Sequence, residues 1–536
     1  MPDVSTAGSP AQSRLWWQDA VFYQIYVRSF ADADGDGVGD IAGITSRLSY
    51  LSDLGVDAVW LTPFYPSPQA DHGYDVADYR DVDPMFGTLG DFDEMLRTAH
   101  KHGIRVVVDV VPNHSSDDHA WFQAALAAEP DSAERARYIF RDGRGENGDE
   151  PPNNWMSVFG GPAWTRVEDG QWYLHLFDRR QPDFDWDNPE VGDEFESVLR
   201  FWLDRGVDGF RIDVAHGMFK AEGMPDVEAE TNTGGIEEAM AQLERPYWDQ
   251  PGVHDVYRRW RRVLDDYEGD RMAVAEAWVA TPESMARYVR PDELQQVFNF
   301  HWLEARWSAA AFRAVIEATY AAVGPVDASP TWVLSNHDVE RHVSRYGGGE
   351  VGLARARAAT LTMLALPGSA YVYAGEELGL PQVDVPDEAR QDPTWLRGGG
   401  VGRDGCRVPL PWSGEESPFG FGPADSAPTW LPQPDWWGKL SVEAQRDDAD
   451  STLSFYRRAL ELRRTLLADL GPAMEFVDSA PEVLAFRRDP DLLCVVNCGT
   501  EPTDVTGFGS LVLTSGDADV VRAGSLPPDT AAWFRG

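Results

Sequence analysis

Lysine is nearly missing from this chain. Lys101, Lys220 and Lys439 are the only three, and every other basic residue is arginine. The 46 basic residues are outnumbered by 89 acidic ones, giving a formal net charge of −43. Nucleic acid and anionic membrane surfaces are poor partners for such a chain, because phosphate-rich surfaces are held through excess positive charge. A neutral or cationic ligand remains. Cysteine is scarce too. Cys406, Cys494 and Cys498 are odd in number and lack metal-type spacing. No disulfide framework is expected, and a reducing compartment fits. The N-terminal MPDVSTAGSPAQSRLWWQDA has no basic start followed by an apolar stretch, so no secretory signal is visible. Long apolar runs are also missing. The longest uncharged stretch, Ala358 to Gly375, carries Pro367, Gly368 and Ser369 in its middle. It reads as helix, turn and strand rather than a membrane span. A cytoplasmic protein is expected, without membrane or nucleic-acid partners, as a monomer or small homo-oligomer.

What is present is length and pattern. A chain of 536 residues is too long for one ordinary core, so two or three domains are expected. Many of the 21 tryptophans lie in Gly/Pro-rich segments, where a flat ring can receive a sugar; for any single one, loop packing is the commoner role. Eight short apolar runs end abruptly in polar or acidic residues, and helical stretches follow them. They are FYQIYVRSF (22–30), AVWLTPF (58–64), IRVVVDVVPNH (104–114), GFRIDVAH (209–216), MAVAEAW (272–278), QVFNF (296–300), TWVLSNHD (331–338) and AYVYAGEE (370–377). Such alternation implies parallel strands buried on both faces. Eight of them match an α/β fold of the (β/α)8 TIM-barrel type. A doubly wound open sheet is the alternative, but no Gly-rich nucleotide fingerprint follows the first run.

Residues 115–182 are rich in Asp, Gly, Pro, Asn and Trp without a long periodic segment, and are too long for a simple connection. They predict a small inserted domain after strand 3. A helix is expected over 454–467. Alternating segments VLAFRR, LLCVVNC, SLVLTS and AAWFR then predict a C-terminal antiparallel β-domain over 468–536. The barrel would comprise 1–114 and 183–467.

In such a barrel the chemistry sits at the C-terminal ends of the strands. Here those ends carry Asp109, Asn113 and His114; Arg211, Asp213 and His216; Glu276; and His337 with Asp338. A single acid in an apolar run is more often structural than catalytic. Four strands each delivering an acid to one rim is not a demand of packing. Glycoside hydrolysis needs two carboxyls, one ionised and one protonated. Arg211, two residues before Asp213, would share its face of the strand and keep it ionised. Glu276 sits among Ala275, Ala277 and Trp278, a setting that raises its pKa. That split supplies the two roles.

These segments resemble the α-amylase family of glycoside hydrolases, in particular its α-glucosidase and oligo-1,6-glucosidase branch. DVVPNH (109–114), GFRIDVAH (209–216), AEAW (275–278), SNHD (335–338) and QPDFDW (181–186) are similar to the family's motifs, in order, over nearly the whole chain. GFRIDVAHG with AEAWV looks most like actinobacterial maltose-type members. The resemblance implies that Asp213 is the nucleophile and Glu276 the acid/base. It implies that Asp338 binds sugar hydroxyls near the reacting carbon, that Arg211 holds Asp213 ionised, and that His114 and His337 bind hydroxyls of the same glucose. Asp109 and Asn113 would brace the site. In HGYDVADYR (72–80), Tyr74 would stack on the terminal glucose and Asp75 bind its far hydroxyls. CRVPLPW (406–412) would supply Arg407, closing the pocket with Asp75 behind one glucose unit. Phe159, Phe177 and Gln181 match pocket-wall and entrance positions, where packing of the inserted domain is the competing role.

The loop DADGDGVGD (32–40) clusters hard oxygens of the kind that bind Ca2+ or Mg2+. It begins like an EF-hand loop, but its twelfth position is Gly43. It resembles instead the branch's metal loop, with Asp32, Asp34, Asp36, the Val38 carbonyl and Asp40 as ligands of a structural ion; a solvated acidic turn is the alternative. The resemblance thus implies a retaining, exo-acting α-glucosidase working on maltose and short malto-oligosaccharides, with no organic cofactor. Val214, after the nucleophile, leaves an oligo-1,6-glucosidase open. A transglucosylase sharing the covalent intermediate is the other alternative. A non-catalytic relative fits poorly, since all three acids are retained.

Overall fold

The structure, a computed structural model, describes residues 15–228, 244–467, 470–488 and 492–536. Most of the N-terminal segment read for a signal, and the residues just after the expected boundary at 467, lie outside these. All eight apolar runs form strands. In chain order the strands are β1 (Val21–Ile25), β2 (Ala58–Leu61), β3 (Arg105–Val110), β4 (Phe140–Asp142), β5 (Trp164–Arg166), β6 (Gln171–Leu174), β7 (Gly209–Ile212), β8 (Met272–Ala275), β9 (Gln296–Val297), β10 (Thr331–Val333) and β11 (Ser369–Tyr373). Eight of them pair in the order β10-β11-β1-β2-β3-β7-β8-β9, a nearly closed parallel barrel. Helices including Ile41–Leu54, Leu89–Lys101, Pro189–Arg205 and Gly349–Ala365 surround it.

The period-two alternation of strands decides what faces inward. Val106, Val108, Phe210, Ile212, Ala273 and Ala275 belong to the main core beneath the helices. Val107, Val274, Phe22, Trp60 and Tyr371 fill the barrel interior, where Phe22 stacks on Tyr371 with centroids 4.4 Å apart. The interior set, continued two residues at a time, reaches Asp109 on β3 and Glu276 just past β8. On β7 the outward Phe210 and Ile212 leave Arg211 and Asp213 inward. Register completes the placement: Asp109 is the Cα partner of Arg211 across β3 and β7.

Between β3 and β7 lies the antiparallel sheet β4-β6-β5, together with a helix, Ala120–Ala127. That helix is too short for its period to stand out in the sequence. The helix expected over 454–467 is α-helical over Thr452–Leu462 and widens into a π turn at Arg463–Leu467. The C-terminal sheet contains the four expected strands, β13 (Val483–Arg488), β14 (Leu492–Asn497), β16 (Ser510–Thr514) and β18 (Thr530–Arg535). An edge strand, β12 (Met474–Phe476), extends it, and β15 (Thr503–Asp504) pairs separately with β17 (Ser525–Leu526). These three pieces are too short to alternate visibly. Trp533 Nε1 donates to the Leu361 carbonyl and fastens this sheet to the barrel helix Gly349–Ala365. Cys406, Cys494 and Cys498 are free thiols. Among the described residues no helix is long and apolar enough to cross a membrane.

Candidate active site

At the C-terminal mouth of the barrel one guanidinium gathers three carboxylates. Arg211 Nη1 lies 2.8 Å from Asp109 Oδ1 and 2.6 Å from Asp213 Oδ1, and its Nη2 lies 3.1 Å from Glu276 Oε2. All four side chains are buried. Glu276 is fixed further by the Val214 backbone N–H, which donates to Oε2 at 2.7 Å, and by Trp278 Nε1, which donates to Oε1 at 2.9 Å. Val214 achieves this with a φ of 42°, a left-handed conformation costly for a β-branched residue. Three residues on, a Cβ at Gly217 would sit 2.6 Å from Val214 Cγ1 and 2.8 Å from a Trp248 ring carbon, so the chain closes there only without a side chain.

The electrostatics differ from the expected split. Burial raises the Glu276 carboxyl, as anticipated, with Arg211 opposing. Burial also raises Asp213 well above the ordinary carboxylate range, reinforced by Glu276 and Asp109 and opposed by Arg211. Asp109 is pushed to about 6 by burial. One arginine cannot neutralise three dry carboxylates, so the cluster retains a proton that belongs to the group rather than to one member. In the sequence Arg211 stands beside Asp213 alone; in the fold Asp109 and Glu276 share it. Asp338 behaves in the opposite way. Burial would raise it, but His337, Arg403 and Arg407 outweigh that and hold its carboxyl well below the usual range. Its Oδ1 accepts from Arg403 Nη1 and Arg407 Nη2, each at 2.9 Å.

Beside these acids opens a cavity of about 420 Å³. Of the residues expected in it, Tyr74, His114, Phe159, Phe177, Asp213, Glu276 and Asp338 line it. The Tyr74 ring stacks on His337 at 5.3 Å and its hydroxyl donates to Asp109 Oδ2. The remaining expected residues sit behind the wall. His337 is buried with Nδ1 accepting from Gln24 Nε2 at 2.7 Å, and burial makes it harder to protonate. Gln181 lies behind His114, its amide nitrogen 3.1 Å from Nε2. Lys220 Nζ, 2.8 Å from Asp183 Oδ2, also donates to Asn113 Oδ1, bracing that corner.

The far end of the pocket is built differently from the expectation. Asp75 is fully buried and does not reach the cavity; its two oxygens accept the backbone N–H groups of Ala70 and Asp71. Arg407 lies beneath the floor, with Nε donating to the His337 carbonyl at 2.7 Å. The wall is made instead by Asp71 and Arg403, each four residues earlier in the same two segments. Arg403 Nη2 donates to Asp71 Oδ1 at 2.8 Å, Nη1 to Asp338, and Nε to Asp392 at 2.6 Å. Across the left-handed turn at His72 (φ 50°) and Gly73 (φ 105°) both Asp71 and Tyr74 meet the cavity, and no periodicity announces such a turn. Also unanticipated in the lining are Trp248, Trp278, Glu304 and Thr394.

Away from this cavity, one carboxylate oxygen each from Asp32, Asp34 and Asp40 lie within 4.8 Å of one another. The loop is tied by backbone donors: Asp32 Oδ1 and Oδ2 accept from Gly35 and Gly37, and Asp40 Oδ2 from Ala33. Asp36 is outside that trio; its Oδ1 accepts the Val38 N–H.

Residues 24–469 match the alpha-amylase catalytic domain. The chain is 37% identical to an oligo-1,6-glucosidase of Parageobacillus thermoglucosidasius over 84% of each chain. It is 38% identical to maltase 1 of Drosophila virilis over 92% of this chain and 80% of that one. The crystal structure of an α-glucosyl transfer enzyme, XgtA, superposes with a TM-score of 0.86 at 36% identity, covering 98% of this chain and all of that one. Motif order, barrel, carboxylate cluster and these similarities agree: the chain belongs to the α-amylase family of glycoside hydrolases.

Proposed function

We propose that this enzyme releases single α-linked glucose units from the non-reducing ends of maltose and short malto-oligosaccharides, with retention of configuration. The observation that carries the reading is the Asp71–Arg403 pair standing as an end wall beside the Arg211-linked acids. A wall of charged donors and acceptors suits the outer hydroxyls of one sugar and stops a chain from running through. Asp213 attacks the anomeric carbon as the glycosidic C–O bond breaks, and Glu276 gives its proton to the leaving oxygen. Glu276, now a carboxylate, takes a proton from water, whose oxygen displaces Asp213. A single guanidinium touching both carboxyls favours the short spacing of this double displacement over the wider gap that inversion needs. Ionised Asp338 accepts hydroxyls of the bound glucose, His114 holds the same ring, and Tyr74 stacks on it, backed by the buried His337.

In the first loop, hard oxygens from Asp32, Asp34 and Asp40 suit Ca2+ or Mg2+, with Asp36 and the Val38 carbonyl as further ligands. The ion would be structural, tying the loop to helix Ile41–Leu54, which Asp40 caps. We place the protein in the cytoplasm, as a monomer or small homo-oligomer, with domains at 1–114 with 183–467, 115–182 and 468–536. An α-1,6 preference is the second reading, favoured by Val214 in the cavity lining. Transfer of glucose to another sugar is favoured by the apolar platform of Trp278, stacked on Phe300 at 3.8 Å. Rates on maltose, isomaltose, sucrose and trehalose, with product analysis at high acceptor concentration, test the assignment. Inactivity on all four overturns it, and transfer products exceeding free glucose replace hydrolysis by transglucosylation.

A further inference from the structure

A cavity of about 770 Å³ lies outside the barrel and shares no lining residue with the active-site pocket. It is bounded by helix Ile41–Leu54, the loop at Trp412 and Ser413, and the helices Val442–Arg446 and Thr452–Leu462. Three guanidiniums line it, those of Arg47, Arg446 and Arg457. Arg47 lies over the Trp412 ring at 4.4 Å and Arg457 over Tyr50 at 6.0 Å. Both aromatic rings are buried and pinned, Trp412 Nε1 on the Phe30 carbonyl and the Tyr50 hydroxyl on Glu377. Arg47 and Arg457 are therefore held on a rigid floor.

What is unusual is that these cations are not paired. Acids outnumber bases 89 to 46 in this chain, and Arg403 and Arg407 of the active site are balanced by Asp71, Asp338 and Asp392. Among the described residues, none of the three cavity arginines makes an ion pair. Asp53 and Glu443 also line the cavity, but Glu443 turns a carboxylate oxygen to the Gly414 N–H. The Nε atoms of Arg47 and Arg457 are buried without an acceptor. Burial, and then the like charge of Arg446, make Arg47 give up its proton more readily than usual. With Asp53 and Glu443 counted, the lining keeps one positive charge in excess, Arg446 repels Arg47, and a bound anion relieves that repulsion. Planar forks of this kind match phosphate oxygens in geometry and charge.

We propose that this cavity is a binding site for a multivalent phosphate group, either free or carried on a small sugar. The volume suits a ligand larger than one phosphate. The test is isothermal titration calorimetry of the full-length enzyme with inorganic pyrophosphate and, separately, glucose 6-phosphate, at low salt and with saturating glucose occupying the active site. One saturable site is expected. Arg446→Gln, at an exposed position, should weaken it at least about tenfold, as loss of a charge-assisted bidentate contact does, while turnover of maltose stays unchanged. Arg47→Gln, checked for an unchanged melting temperature, should act likewise. Tighter glucose 6-phosphate assigns a sugar phosphate; equal or tighter pyrophosphate assigns the free anion. No saturable binding up to roughly 10 mM, wild-type affinity in both variants, or loss of binding when glucose is present overturns the proposal.

Discussion

Arg403 donates to Asp71 at 2.8 Å across the end of the active-site cavity, joining two segments more than three hundred residues apart. The pair fixes how deep a sugar can enter, and Arg403 reaches Asp338 with its other amino nitrogen. Asp71 is buried, and removing its partly exposed cation leaves that carboxylate uncompensated. Arg403→Gln is therefore expected to lower kcat/KM on disaccharides by at least about a hundredfold. Asp75→Asn should act differently. Its oxygens serve two backbone N–H groups, so the melting temperature should fall while KM of the folded fraction stays near wild type. The reverse pattern in steady-state kinetics would return the end wall to Asp75.

The three-acid cluster predicts how the nucleophile variant behaves. Asp213→Asn replaces the attacking carboxylate with a poorly nucleophilic amide and should reduce kcat by about 10⁴-fold or more. It also leaves Arg211 with two carboxylates instead of three, so Glu276 should lose its proton more easily. The alkaline limb of any residual activity, set by deprotonation of Glu276, should shift to lower pH. Unchanged turnover would remove Asp213 from the mechanism, and an unmoved limb would uncouple the two acids.

Metal removal should register in stability rather than chemistry. Chelation by EDTA is expected to lower the melting temperature, and added Ca2+ or Mg2+ to restore it, since a ligand bound only by the native state stabilises that state by mass action. Asp34 is exposed and caps no helix. Asp34→Asn should abolish the metal-dependent rise with little effect on the metal-free protein. A rise that survives in the variant would place the ion elsewhere.

Glu376 predicts a pH dependence of stability. It is buried after β11, accepts the Tyr373 N–H at 3.0 Å, and burial pushes its carboxyl up to about 8. A carboxyl raised in the native state binds its proton there while the unfolded chain has released it above about 4.5. Its stabilising contribution is complete below that value and is lost as pH rises through about 8. Glu376→Gln keeps an uncharged group in place. The wild-type melting temperature should fall relative to this variant between roughly pH 5 and 8; parallel curves by scanning calorimetry would contradict the assignment.

Much of this was legible in the chain before it folded. Eight apolar runs ending in polar residues specified a parallel barrel, because strands buried on both faces must be continuously apolar and the chemistry must leave from their ends. Two-residue spacing put Arg211 and Asp213 on one face, and motif order gave the family. The loop of alternating aspartates announced clustered oxygens, and three of its acids do converge. Tertiary structure alone decided the rest. It set Arg211 among three carboxylates, because cross-strand register brings Asp109 and Glu276 to the same guanidinium. It chose Asp71 and Arg403 over Asp75 and Arg407, because Asp75 turns back onto the Ala70 and Asp71 N–H groups and Arg407 onto the His337 carbonyl, leaving the other pair to meet the cavity. It also brought Arg47, Arg446 and Arg457 together from separate helices. Local pattern governs which face of a strand or helix is apolar; which polar side chains meet across a cleft depends on packing between elements distant in sequence.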